Sequence, residues 1–277
     1  MGLITKAMKK TRPTILPAVP PVYRRLMDVA KEQGISLQGV RYAVSGAMNL
    51  PPELVAEWED ASGGYMVEGY GLTECAPLVS CKPLNDTRRA GSIGIPFPST
   101  DIRVVDPETL QDVPLGEEGE LWVHGPQCFA GYWKREEDTQ KTITADGWLR
   151  TGDIVRLDED YFIQIVDRIK EVIITGGFNV SPTEVETALK QHDSVADAAV
   201  VGIPQASGGE TVVAAVIPAE GHAVDEHALR EHCYARVTRY KVPRKIVAVD
   251  DLPRSMLGKI LRRKVREQLL NSEEFSH

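Results

Sequence analysis

The chain has 277 residues, 42% of them hydrophobic and 26% charged, enough apolar material for one large or two ordinary domains of about 150 residues. That composition excludes a disordered chain, a collagen-like chain and a small disulfide scaffold. A formal net charge of −8 argues against a nucleic-acid-binding body.

In chain order, Lys6, Lys9, Lys10 and Arg12 precede a mildly apolar run over 14–22. Pro17, Pro20 and Pro21 disfavour a helical signal segment there, and no small-residue cleavage site follows, so the run reads as mature and extended. Residues 21–33 predict a helix with Val22, Leu26 and Val29 as its apolar stripe; 40–44 predicts a strand, with Gly46-Ala47 as the turn after it. A helix restarts over 51–58 with Pro in its first turn. A strand over 65–68 leads into the Gly69-Tyr70-Gly71 loop. This order is that of part of an α/β sheet.

From about Ser92 the texture changes. Short strands are predicted at 102–105, 120–124, 154–157 and 161–166, separated by Gly, Pro and Asp turns, with Asp158-Glu159-Asp160 as the last hairpin. That pattern predicts a small antiparallel barrel or sandwich. Beyond Arg168 a strand at 172–174 is followed by Ser181-Pro182-Thr183-Glu184, a capping box with Pro at the first helical position. Strands at 195–201 and 211–217, a helix near 225–237, a strand at 245–249 and a basic helix over 260–270 complete a small α+β domain. The boundary is expected at Asp167–Lys170.

Cys75, Cys81, Cys128 and Cys233 include no C-x-x-C pair, which indicates neither a zinc knuckle nor a redox dithiol and fits a reducing cytosol. His222, His227 and His232 are five apart and do not share a helix face. The sequons at Asn85 and Asn179 carry no weight without a secretory signal. No apolar run reaches the roughly 18 residues that span a bilayer. Residues 236–267 hold 11 Lys and Arg against three acids. Such a basic tail on an acidic body suits a phosphate-rich ligand or an anionic membrane surface, or is simply a solvated helix face.

Three polar loops could carry chemistry. Gly69-Tyr70-Gly71-Leu72-Thr73-Glu74 offers an aromatic face, a hydroxyl that can donate to a phosphate oxygen and a carboxylate that can hold Mg²⁺; Glu74 where a third Gly should stand rules out a dinucleotide fingerprint. Gly147–Asp153 ends on a carboxylate that can accept two ribose hydroxyls, although such an Asp is as readily a turn residue. Asp167–Glu171, followed by Thr175–Asn179, reads as a charged linker and a Gly-Gly turn. Beyond them, Lys259 after Gly258 is a point charge able to reach a phosphate, in a segment that is not a Walker loop.

Together, Gly69–Ser80 (GYGLTECAPLVS), Gly91–Pro96 (GSIGIP), Gly147–Asp153 (GWLRTGD), Asp167–Glu186 and Leu252–Arg263 (LPRSMLGKILRR) resemble, in order and wording, the adenylate-forming superfamily of acyl-CoA synthetases, in particular bacterial long-chain fatty-acid–CoA ligases. The resemblance covers essentially the whole chain. It implies that Tyr70 stacks on adenine, with Gly46, Ala47 and Gly71 lining the base site. Thr73 would bond the α-phosphate, Glu74 would ligate Mg²⁺, and Asp153 and Arg168 would hold the ribose. Lys259 would be the adenylation lysine, Lys170 the hinge and Gly177 the point where the pantetheine of coenzyme A threads. Ser181, where close relatives usually carry Tyr, and Ile169, where they often carry a basic residue, depart from the pattern.

The expected fold class is therefore α/β plus β-barrel plus α+β: an incomplete large adenylate-forming domain over 1–167 (α/β piece to about 90, barrel from 91), then a mobile α+β lid domain over 168–277. The expected reaction converts fatty acid, ATP and CoA to acyl-CoA, AMP and pyrophosphate by way of an acyl-adenylate. Full family members are roughly twice as long and carry upstream a Ser/Thr/Gly-rich loop that cradles the β- and γ-phosphates. On that ground the chain reads as a C-terminal portion, inactive by itself, with an apolar sheet edge that a homodimer would cover. A cytoplasmic location with peripheral contact to an anionic membrane is expected, and no nucleic-acid partner. The alternatives are an acyl-AMP or aryl-CoA ligase on the same scaffold, a non-catalytic AMP- or CoA-binding module, and a membrane-surface adaptor.

Overall fold

A computed structural model describes residues 2–48, 50–205, 209–255 and 258–272. The chain divides into two compact units, Met1–Ile165 and Val166–His277.

The first unit opens with α1 (Gly2–Thr11), β1 (Ile15–Ala18) and α2 (Pro20–Glu32). The proline pair that disfavours a signal helix opens α2 instead, occupying the first helical positions where no N–H is needed. Tyr23, Leu26, Val29 and Ala30 form its buried stripe. The Tyr23 ring packs edge-on to Trp58 at 4.8 Å, and its hydroxyl donates to the Leu16 and Val44 carbonyls at 2.5 and 3.0 Å. Next come β2 (Tyr42–Ser45), α3 (Pro52–Ser62), β3 (Tyr65–Gly71), β4 (Leu78–Cys81) and β5 (Ile95–Pro96). These strands form one sheet in the order β1-β2-β3-β4-β5, parallel across the first three and antiparallel beyond. Met8, Leu26, Leu54, Trp58, Ala43 and Met66 lie in the core that joins these helices to the sheet.

The barrel expectation is corrected by β6 (Asp101–Val105), β7 (Glu118–His124), α4 (Glu136–Thr142), β8 (Leu149–Leu157) and β9 (Ile163–Arg168). Among the described residues these strands make an open four-stranded sheet in the order β6-β7-β8-β9, with no pairing that closes it. Strand-like texture gives strands but not closure. What covers the sheet is a core shared with the other sheet of this unit, where Cys75, Val79 and Ile93 meet Leu121, Leu149 and Val155.

The second unit begins with the hairpin β10 (Ile173–Thr175) and β11 (Phe178–Val180). Its two-residue turn, Gly176-Gly177, has φ of 57° and 82° at both positions, the backbone that a tight hairpin demands and side chains resist. Then follow α5 (Pro182–Lys190), β12 (Val195–Pro204), β13 (Glu210–Pro218), α6 (Glu226–Tyr234), β14 (Lys245–Ala248) and α7 (Arg262–Leu270). Ser181 caps α5, its Oγ accepting from the Glu184 N–H at 3.2 Å. The three-stranded sheet β12-β13-β14 is buried on both faces. Ala198, Val200, Val212 and Ala214 pack with Val185, Leu189 and Leu229 of α5 and α6, whereas Ala199, Val201, Val213 and Ala215 pack with Leu252 and with Val265 and Leu269 of α7. Period-two alternation between two apolar faces explains why these strands read as unbroken hydrophobic runs. Among the described residues no helix is long and apolar enough to cross a membrane.

Candidate nucleotide site

The residues read as loop in Gly69-Tyr70-Gly71 and in Leu149–Asp153 belong to the ends of β3 and β8. Strand ends make better platforms than loops, because the ladder fixes their direction. Beyond β3 a short 3₁₀ turn, Thr73–Cys75, carries Thr73 and Glu74. Gly71 is required for this packing: a Cβ there would lie 1.7 Å from the Pro77 carbonyl oxygen. The turn after β2 reaches the same place, since a Cβ on Gly46 would come within 3.4 Å of the Gly69 carbonyl. Ala47 follows with φ of 65°.

The Tyr70 hydroxyl donates to Asp153 Oδ2 at 2.5 Å, joining two turns 83 residues apart. Asp153 is 4% exposed. Its own N–H bonds Thr151 Oγ1 at 3.1 Å, and Thr151 Oγ1 donates to the Leu121 carbonyl at 2.8 Å. The side chain that holds this turn, Glu120, has no signature in the sequence. Buried in β7, it accepts from the Gly152 N–H at 3.0 Å, the Trp122 indole at 2.8 Å and Arg150 Nε at 3.2 Å.

Glu74 is likewise held by partners that sequence reasoning missed. The Tyr132 hydroxyl donates to Glu74 Oε1 at 2.6 Å, and the Phe129 N–H donates to the Glu74 carbonyl at 2.8 Å. The bond to the Glu74 carboxylate raises the Tyr132 phenol above its ordinary value, with burial second. An aromatic within the Gly131-Tyr132-Trp133 stretch was the only available signal. Among the described residues no three His, Cys, Asp or Glu side chains could together enclose a metal ion. A single hard carboxylate such as Glu74 fits Mg²⁺ only in the manner of phosphate-handling enzymes, where substrate phosphates and water supply the remaining ligands.

In the first unit, then, Gly46, Tyr70, Gly71 and Asp153 are linked directly or through one neighbour, and Thr73 and Glu74 lie on the adjoining turn. Arg168, Lys170, Gly177 and Lys259 belong to the second unit. Arg168 ends β9, exposed, with its carbonyl accepting from Glu171 and Val172 N–H at 2.9 and 3.0 Å. Lys170 is exposed in the turn that follows, and Gly177 sits at the hairpin tip. Lys259 is exposed; its N–H bonds Ser255 Oγ at 3.2 Å and its carbonyl accepts from the Ser255 N–H at 2.8 Å. Met256 and Leu257 of the same motif lie outside the described residues.

Two further features of the second unit escaped the sequence reading. Arg262, three residues after Lys259, is enclosed by Glu186, with Nε–Oε1 and Nη2–Oε2 at 2.8 and 2.7 Å, by Glu171 and by Thr183 Oγ1 at 2.8 Å. Burial opposes its charge, and the surrounding carboxylates more than offset that, so the guanidinium is held charged. A cavity of about 830 Å³ opens beside the β10–β11 hairpin. It is lined by Thr175, Gly176, the stacked rings of Phe178 and Tyr240 (4.5 Å between centroids) and three arginines, Arg230, Arg239 and Arg244, and among the described residues by no carboxylate. Arg230 Nε is buried there without a hydrogen-bond partner among the described residues.

Comparison with known proteins gives the family. A family profile described as AMP-binding enzyme matches residues 1–133, and one described as AMP-binding enzyme C-terminal domain matches residues 184–259. The long-chain-fatty-acid–CoA ligase of Yersinia pestis is 41% identical over 255 residues, which cover 92% of this chain and 45% of the relative. The ligase of the same name from Haemophilus influenzae is 38% identical over 263 residues, 95% of this chain and 46% of the relative. The crystal structure of ATP-bound MatB from Rhodopseudomonas palustris is similar with a TM-score of 0.86 at 33% identity, covering 98% of this chain and 53% of that one. The chain thus spans about half the length of the curated relatives it matches. It belongs to the AMP-binding, adenylate-forming enzyme superfamily.

Proposed function

We propose that this chain supplies the adenosine-holding turns and the lysine-bearing unit of a fatty-acid–CoA ligase. The observation that carries the proposal is the Tyr70–Asp153 bond. It sets the residue assigned to adenine beside the residue assigned to ribose, as one bound nucleoside requires. In the first step the fatty carboxylate attacks the α-phosphorus of ATP and pyrophosphate leaves. In the second the CoA thiol attacks the acyl carbonyl and AMP leaves. Thr73 donates to the α-phosphate, Asp153 and Arg168 orient the ribose, and Lys259 offsets the charge on the approaching anions. Glu74 would hold Mg²⁺, which when bound neutralises phosphate charge. Lys170 is assigned the hinge between the two half-reactions. The fatty-acyl class follows from the names of the relatives.

The arginine-lined cavity supports CoA as the thiol substrate. Its hairpin carries Gly177, and three guanidiniums beside stacked aromatic rings suit the phosphates and base of CoA.

Calorimetric titration of the 277-residue chain tests the nucleotide reading. AMP is expected to bind, and Asp153→Ala to weaken it about tenfold, on the order of 1.4 kcal/mol. The analogue 2′,3′-dideoxy-AMP is expected to bind both forms equally weakly. Dideoxy-AMP binding the parent chain as tightly as AMP would refute the assignment.

A further inference from the structure

The chemistry above leaves two side chains unused. Cys75 and Cys128 are 53 residues apart in sequence, yet their sulfurs lie 3.6 Å from each other. Cys75 is fully buried at the end of the Thr73–Cys75 turn, while Cys128 is partly exposed. The segments that carry them are already fixed to one another by the Phe129 N–H to Glu74 carbonyl bond and by the Tyr132–Glu74 bond. Both thiols are free. Two sulfurs in contact, on segments tethered on one side by these bonds and on the other by the Gln127 side-chain amide donating to the Leu78 carbonyl at 3.2 Å, need only a small side-chain adjustment to reach bonding distance.

We infer that Cys75 and Cys128 are an oxidative modification site, closing to a reversible disulfide when the chain meets hydrogen peroxide. In the first step Cys128, the more accessible sulfur, attacks the peroxide. The O–O bond breaks, water leaves, and Cys128 becomes a sulfenic acid. In the second the Cys75 sulfur displaces the hydroxyl from Cys128, forming the S–S bond and releasing a second water. Two thiols lose two electrons and two hydrogens, and the peroxide takes up both. Reduction by a dithiol restores the pair. The product covalently joins the Thr73–Cys75 turn to the segment bearing Tyr132. This inference concerns thiol chemistry only and does not depend on which ligand the chain binds.

The test uses the 277-residue chain carrying Cys81→Ser, so that the peptide bearing Cys75 holds no second cysteine. After hydrogen peroxide at mildly alkaline pH, free thiols are alkylated and the peptides are mapped by mass. The expected result is a peptide pair joined through Cys75 and Cys128, about 2 Da lighter than the sum of its reduced parts. It disappears on dithiothreitol treatment and is absent from the Cys128→Ser variant, in which Cys75 remains alkylatable. Recovery of both cysteines as alkylated thiols would overturn the inference. So would Cys128 advancing to sulfinic acid beside an intact Cys75, or a disulfide from either one to Cys233.

Discussion

Glu120 is 2% exposed, and its carboxylate accepts from the Gly152 N–H, the Trp122 indole and Arg150. A buried carboxylate is tolerable only with such donors, and removing it strands them. Glu120→Ala is expected to cost about 3 kcal/mol, read as a lower urea midpoint of tryptophan fluorescence. Glu120→Gln retains a carbonyl oxygen for the Gly152 N–H while losing the charge toward Arg150, so it is expected to fall between the two. Equal stability of the alanine variant and the parent would show that the turn stands without its carboxylate. The candidate side chains themselves, Tyr70, Glu74 and Asp153, stand out in the sequence because they lie in short Gly-bounded stretches. Glu120 and Tyr132 do not, since a strand Glu and a loop Tyr have no local pattern; only the pairing of β7 with β8, and the packing of a loop against Glu74, reveals them.

At the scale of elements, α7 and β12 show how the basic tail is used. The bland reading of a solvated face holds for Arg263, whose side chain is 90% exposed, but not for Arg262, at 16%. Arg262 ties the start of α7 to Glu186 of α5 and to Glu171. A lysine cannot reproduce its fork, so Arg262→Lys is expected to lower the stability of the second unit by about 2–3 kcal/mol in chemical denaturation. Asp197 of β12 is the counterpart for pH. Burial pushes its carboxyl up, but Lys190, at 2.8 Å, and Arg254 together with the Ala198 N–H outweigh it and hold the carboxyl below its ordinary value. A lowered carboxylate contributes stability above its unfolded-state value, near pH 4, and loses it as pH falls through the folded-state value. The parent is therefore expected to exceed Asp197→Asn by about 1 kcal/mol at pH 7, the two converging in acid. A constant difference down to pH 2 would assign the effect to something other than ionisation.

Element types read well from sequence wherever a cap or an alternation was present: Pro20-Pro21 for α2, Ser181 for α5, the β-branched runs of β12 and β13. They read less well where neighbours decide. α4 carries no capping side chain, and β4 and β5 exist because an antiparallel extension of the sheet pairs short, proline-interrupted segments. Sheet closure, expected and not found, is a property of strand order that no single strand encodes.

For the molecule as a whole, the two units have separate hydrophobic cores. Those of the first draw on residues between Met8 and Ile163, and those of the second on residues from Ile173 to Leu269. Units with their own cores can unfold in separate transitions. The sequence provides a probe for this, since all four tryptophans (Trp58, Trp122, Trp133 and Trp148) lie in the first unit. Tryptophan fluorescence therefore reports on the first unit, whereas far-ultraviolet circular dichroism reports on both. Leu229 is fully buried among α6, α5 and the three-stranded sheet, and Leu229→Ala is expected to cost about 2–5 kcal/mol there. In urea the circular-dichroism trace of this variant should split, its early part moving to lower denaturant while the fluorescence midpoint stays at the parent value. If both traces move together by the same amount, the chain unfolds as one cooperative body, and the loss at Leu229 is felt by the first unit as well as the second.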